Sequence, residues 1–276
     1  MPTSAQWRGK TINYTKFPNL TPSKVSALHC HKQFNEVHIL KTVEPEGFAR
    51  PLAYGSAVHE TLKDVFNPEY SASPMPRNVK GAAIKAITRQ GYPNTAERDE
   101  DTAKCIATVE AYVAQSAPEE VTLGVEMFEN AKVGQNGITV TLGAKFDRLL
   151  FSQTTPDTLV IRDYKTGKPT ETDLEGAAIM LAIAALRYKK QDSPRRFEHF
   201  AVEYDFLSEK GLVERRTVTF AEAKMVWADL KSRALCVYHA TEFPAEPGEH
   251  CAFCPIRKQC RPDLFAEMDE VDALFS

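Results

Sequence analysis

Residues 159–167 read Leu-Val-Ile-Arg-Asp-Tyr-Lys-Thr-Gly. The run is apolar at its start and charged at its end, as in a strand that leaves a core and finishes at a sheet edge. Residues two apart on a strand share a face, so Asp163 and Lys165 project together and Tyr164 turns into the opposite layer. Gly167 is expected to free the backbone to turn away. Two strands are predicted upstream. Val121, Leu123, Val125 and Met127 alternate, Ile138, Val140 and Leu142 alternate again, and Asn136-Gly137 between them is a hairpin signal. Asp147 ends the second strand, in Gly143-Ala-Lys-Phe-Asp147-Arg148. If these strands pair, two carboxylates and one ammonium converge.

Outward from this centre the period is helical. Ser23 can cap a first helix that carries Val25, Leu28, Cys30 and Phe34. Residues 41–54 read as loop, and a second helix fits Gly55 to Phe66, with Pro68 beyond its end. A connector over 67–79 leads to helices near 80–90 and 97–116. Downstream of Gly167 come a helix from Asp173 to Lys190, strands at His199–Leu207 and Val213–Phe220, and a helix from Ala221 to Tyr238. Residues 1–22 read as a loose leader, and the tail from Phe243 holds three cysteines. This order predicts an α/β fold with a mixed central sheet flanked by helices.

A composition of 43% hydrophobic and 26% charged residues is that of a soluble globular protein. No apolar run approaches the ~20 residues of a membrane helix. The N-terminus lacks a secretory apolar stretch, so the expected location is cytoplasmic and no membrane partner is expected. A net charge of −3 means that contact with nucleic acid would need a local basic patch. Lys168, Arg187, Lys189, Lys190, Arg195 and Arg196 offer one around the helix that follows Gly167.

An aspartate and a lysine two apart on a strand commonly make nothing more than a salt bridge. With Asp147 alongside, the set suits phosphodiester hydrolysis. Hard oxygen ligands hold Mg2+ or Mn2+, which polarises a phosphate and lowers the pKa of bound water. A lysine beside that water can orient it. His59, in Gly55-Ser-Ala-Val-His59, is a candidate ligand, the alternative being a structural histidine. Glu126 falls out of phase with Val125 and Met127 and is either a site residue or a solvated one.

Cys251-Ala-Phe-Cys254-Pro-Ile-Arg-Lys-Gln-Cys260 groups three thiolates in a chain without an export signal, which points to a metal centre rather than disulfides. Three are one too few for a closed four-coordinate site, and Cys30 is the expected fourth. Both zinc and a [4Fe–4S] cluster accept four thiolates, and His29, His31 and His250 keep zinc open. Cys105 and Cys236 read as small buried hydrophobes.

Together these motifs resemble the RecB-like branch of the PD-(D/E)XK nucleases, in particular the iron–sulfur group of AddB nuclease domains and CRISPR-associated adaptation exonucleases. The resemblance runs from about Ser23 to Cys260. It rests on Ser26–Phe34 with Cys30, on Gly55-x3-His59, on Gly143–Arg148, on Asp163-Tyr-Lys165-Thr-Gly, and on Phe243–Pro255. It implies one restriction-endonuclease-like domain over 1–276, with a core at about 55–240. The termini, at about 23–34 and 243–262, would be joined by a [4Fe–4S] cluster on Cys30, Cys251, Cys254 and Cys260. His59, Asp147, Asp163 and the Tyr164 carbonyl would hold the divalent metal, and Lys165 would assist the attacking water. The implied activity is a DNA nuclease, an exodeoxyribonuclease before an endonuclease, in recombination, repair or phage DNA processing. Its DNA would have single-stranded character, and a helicase or recombinase would be its partner, since no Walker-A motif is present. Where the family carries Gln-x3-Tyr, this chain reads Met180-Leu-Ala-Ile-Ala184. The alternative is therefore a catalytically weakened iron–sulfur DNA-binding module within a larger complex.

Overall fold

The chain opens with two four-residue strands, β1 (Ser4–Trp7) and β2 (Lys10–Asn13), paired antiparallel from Ser4↔Asn13 to Trp7↔Lys10. Short helices α1 (Pro22–Val25) and α2 (His31–Phe34) follow, then α3 (Arg50–Phe66), α4 (Pro68–Ser71), α5 (Val79–Arg89) and α6 (Thr95–Gln115). Next come β3 (Glu120–Gln135), β4 (Ile138–Ser152), β5 (Thr155–Lys165), α7 (Leu174–Tyr188), β6 (His199–Ser208), β7 (Gly211–Thr219), α8 (Phe220–His239) and α9 (Arg257–Cys260). The computed structural model describes residues 4–7, 10–13, 19–43, 48–71, 78–135, 138–169, 173–189 and 196–260. The Asn136-Gly137 turn and the patch residues Lys190 and Arg195 lie outside the described residues.

Packing divides the chain into two compact units. The first comprises Met1–Pro45, Lys132–Thr141 and Trp227–Ser276, and the second Glu46–Ala131 and Leu142–Val226.

In the first unit, part of the expected leader is the β1–β2 hairpin. The single helix expected from Ser23 is broken at Cys30, whose backbone is extended (φ −142°, ψ 112°). A tertiary bond replaces the helical one there, because the Lys32 N–H donates to Pro244 O at 3.1 Å. Buried side chains are Val25, Leu28 and Phe34, together with Leu230, Ala234 and Val237 at helical spacing on α8. Cys236 falls off that stripe and is exposed, contrary to the sequence expectation.

In the second unit the sheet order is β3-β4-β5-β6-β7. β4 and β5 run antiparallel, β5 and β6 parallel, and β6 and β7 antiparallel. A parallel neighbour needs a crossover, and α7 supplies it. The helix α7 is buried from Gly176 to Leu181 and again at Ile183 and Ala184. The two positions where the resemblance places Gln-x3-Tyr, Met180 and Ala184, are both buried.

A cluster of Ala57, Val58, Leu62, Val65, Ala83, Ile87, Cys105, Val109 and Tyr112 packs α3, α5 and α6 with Tyr164 of β5 and Leu207 of β6. Cys105 is a buried small residue, with the Thr61 hydroxyl 3.5 Å from its sulfur. α3 begins five residues before the predicted Gly55, because Pro51 is tolerated in a first turn. Arg50 fixes that start through a bidentate pair with buried Asp101 on α6, Nε to Oδ2 at 3.0 Å and Nη2 to Oδ1 at 2.9 Å.

Candidate active site

Five sequence-predicted side chains meet where β5 ends against the middle of β4 and α3 passes; Asp147 does not end its strand as expected, because β4 runs on to Ser152 to pair with the start of β5. Arg148 pairs with Arg162 across these strands, which sets Asp147 beside Asp163. Asp147 Oδ2 accepts the Tyr164 N–H at 2.9 Å and lies 3.2 Å from His59 Nδ1. Asp163 Oδ1 lies 2.7 Å from Lys165 Nζ. The Tyr164 ring turns to the opposite side, as period two requires, edge-on to Tyr112 at 5.5 Å and His59 at 6.0 Å.

Gly55 marks the close approach of α3 to the end of β5. A Cβ there would stand 3.0 Å from Thr166 Oγ1, a tight contact that the threonine side chain would have to relieve. Gly167 behaves otherwise than predicted. Its φ is ordinary and a Cβ would meet nothing within 4 Å, so the turn needs no glycine.

Glu126 joins the site by an unusual route. It sits inside β3 with φ +52°, a left-handed backbone that a non-glycine residue holds at a cost of about 1–3 kcal/mol. Its ligand atoms and those of His59 and Asp147 all lie within 4.8 Å of one another. That trio does not include Asp163. Glu126 Oε2 pairs with Lys145 Nζ, while Oε1 is buried without a hydrogen-bond partner among the described residues. An orphaned carboxylate oxygen next to an imidazole and a second carboxylate suits a divalent cation.

The electrostatics agree. Burial opposes ionisation of Asp147, yet His59, the Tyr164 N–H and Lys165 together hold its carboxyl below the ordinary value. Burial and the Asp147 charge push the Asp163 carboxyl up, against Lys165 and His59. Burial depresses His59, but its bond to Asp147 and the acids around it outweigh this and raise it. A cleft of about 490 Å³ adjoins the site, lined by Ser56, His59, Lys63, Gln90, Glu126, Lys145 and Thr166 among others.

The four predicted cysteines line one small cavity of about 160 Å³ in the first unit. Cys251 lies in a 3-10 turn (Glu249–Phe253), Cys254 caps it, and Cys260 ends α9. Cys30 Sγ accepts the Glu246 N–H and Cys251 Sγ the Gly248 N–H, both at 3.5 Å. Burial and the three neighbouring thiols push the Cys254 thiol up. No three of these sulfurs lie within 4.8 Å of one another. His250 Nε2 is buried beside them without a partner among the described residues.

Of the predicted basic patch, Lys168, Lys189 and Arg196 are exposed, while Arg187 is paired with Glu129 at 2.7 Å. Among the described residues no helix is long and apolar enough to cross a membrane. Sequence reasoning missed Lys145, although it stands two residues before Asp147 and therefore on the same face of β4.

A hydrolase of phosphodiesters is the class that such a donor set on such a sheet defines. The family description "PD-(D/E)XK nuclease superfamily" matches residues 19–261, and the chain belongs to that superfamily. No curated protein matches. Among solved structures, a "Putative exonuclease" from Eubacterium rectale is similar at 10% identity and TM-score 0.47, over 87% of this chain and 88% of that one. The crystal structure of SSO0001 is similar at 9% identity and TM-score 0.31, over 72% and 82%. Both likenesses are coarse, and the assignment rests on the family match.

Proposed function

We propose that the protein is a divalent-metal-dependent deoxyribonuclease that acts on DNA ends, with single-stranded character in its substrate, in recombination, repair or phage DNA processing. The observation that carries this reading is the convergence of ligand atoms of His59, Glu126 and Asp147, with one Glu126 oxygen buried and unpartnered among the described residues, together with the Asp163–Lys165 pair. His59, Glu126, Asp147, Asp163 and the Tyr164 carbonyl are the donors for Mg2+ or Mn2+. When bound, the ion supplies phosphate polarisation and acidifies water. Lys165 orients the attacking water and offsets charge that develops on the phosphate. Asp147 fixes the end of β5 through the Tyr164 N–H and so holds Asp163 and Lys165 in place. Exposed Lys168, Lys189 and Arg196 supply cationic contacts to the DNA backbone. A helicase or recombinase partner and a cytoplasmic location belong to the same reading. End-labelled linear strands and closed circular strands, each incubated with Mn2+, test it. Loss of the linear strand with the circle intact is the expected result. Cutting of circles would make the enzyme an endonuclease.

The cysteine cavity belongs to this proposal as a [4Fe–4S] site of the RecB-like iron–sulfur branch, on Cys30, Cys251, Cys254 and Cys260. Tetrahedral zinc with ~2.3 Å bonds would draw its sulfurs to about 3.8 Å from one another. A [4Fe–4S] cluster spreads its thiolates further apart, each holding a different iron. The two N–H···S bonds suit it as well. Cys30 would then tie together segments more than 200 residues apart, a restraint on the unfolded chain worth several kcal/mol in the disulfide analogy. Protein purified without oxygen should carry about four irons per chain. Cys30→Ser should lose them and melt earlier, whereas Cys105→Ser should keep them. Stoichiometric zinc in place of iron would contradict the cluster.

A further inference from the structure

Glu126 and Lys145 form an ion pair of unequal partners. The glutamate side chain is 12% exposed and fixed by a left-handed backbone, while the lysine side chain is 57% exposed on a flexible stem. The carboxylate is thus stationary and the ammonium free to swing. A divalent cation bound by His59, Glu126 and Asp147 would compete with that ammonium for the same carboxylate. The ammonium would have somewhere to go, because Lys145 also lines the adjoining cleft. Lys63 lines it too, one helical turn beyond His59 on α3, with Ser56 one turn before. The acid in the cleft wall other than Glu126 is Glu60, and it is paired with Arg89. Once Glu126 is neutralised by a cation, the cleft therefore presents two ammonium groups, the hydroxyls of Ser56 and Thr166 and the Gln90 amide, a lining for a phosphodiester chain.

We propose that Lys145 couples metal binding to nucleic-acid binding: it occupies Glu126 in the metal-free protein and, displaced by the cation, holds a phosphate of the substrate strand in the cleft. Metal then binds first and substrate second, and each favours the other by linkage. This rests on the reading that His59, Glu126 and Asp147 hold the cation.

Calorimetric titration of the full-length protein with Mn2+ alone tests the first half. Lys145→Gln removes the competitor and should bind Mn2+ about two- to fivefold more tightly than wild type, the worth of a partly exposed ion pair. Lys63→Gln, which leaves the pair intact, should change Mn2+ affinity much less. Unchanged or weaker binding by Lys145→Gln overturns the inference, as does equal tightening by Lys63→Gln. The second half is read by the anisotropy of a labelled single-stranded oligonucleotide. With Ca2+ present Lys145→Gln should bind it several-fold more weakly than wild type, and without any divalent cation the two should bind alike. Equal affinity in Ca2+ overturns the release of Lys145 to phosphate. If wild type binds no Mn2+, or Asp147→Asn binds it as wild type does, the metal-site reading itself fails, a result distinct from the others.

Discussion

Asp147→Asn should lower DNA cleavage by at least about 10²–10³-fold while the protein stays folded. The substitution removes one negative charge from the meeting point of His59, Glu126 and Tyr164. It also removes the anion whose hydrogen bond and charge raise the His59 imidazole. The amide oxygen of asparagine can still accept the Tyr164 N–H, so the β4–β5 register should survive. Initial rates on a labelled strand, with circular dichroism and a melting curve alongside, separate the two effects. Activity within about tenfold of wild type would remove Asp147 from the reacting centre.

Arg162→Met should destabilise the fold by about 3–5 kcal/mol, because it leaves buried carboxylates without their cation. Arg162 is 2% exposed and donates to Glu120 Oε2 at 2.8 Å and Glu203 Oε2 at 2.5 Å, with Asp205 Oδ2 3.3 Å away. Arg148 also binds Glu120, at 2.9 Å, and Arg215 binds Asp205, at 2.6 Å. Tyr112 donates to Asp205 as well. Three guanidiniums thus balance three carboxylates directly behind the strand that carries Asp163 and Lys165. Burial alone would push the Glu120 carboxyl up, but Arg162 and Arg148 hold it below its ordinary value. A carboxylate depressed in the folded state stabilises above its ordinary pKa, and that contribution fades as pH falls through the lowered value. The gap in stability between wild type and Arg162→Met should therefore be widest near neutrality and narrow in acid. Urea unfolding at several pH values measures it, and a gap that widens on acidification would contradict the network.

The parts of this molecule that read well from sequence are those in which spacing decides geometry. A period of two set Asp163 and Lys165 against Tyr164. The cysteine spacing singled out Cys251, Cys254 and Cys260, the ligand count added Cys30, and all four line one cavity. What escaped depends on contacts between distant residues or on backbone conformations that spacing does not encode. Glu126 was placed on the polar side of its strand, but nothing in Val125–Met127 announces a φ of +52°. Pro51 reads as a loop residue, whereas it sits in the first turn of α3, which Arg50 ties to α6 through Asp101 and Glu100. Cys236 has apolar neighbours in sequence, yet its turn of α8 faces outward. Arg162, a charge within an apolar strand, was the visible mark of a network whose acids lie 40 or so residues away on either side.

One cation, held by carboxylates and His59 where β5 ends against the middle of β4, is what should make this chain a DNA-cutting enzyme. Release of labelled nucleotide from linear DNA, measured with Mn2+ and again with excess EDTA in the same preparation, tests it most directly. The account predicts cleavage with Mn2+, none with EDTA, and recovery when Mn2+ is restored in excess over the chelator. Cleavage that persists in EDTA, or a folded protein that cuts nothing with Mn2+ or Mg2+, would contradict it.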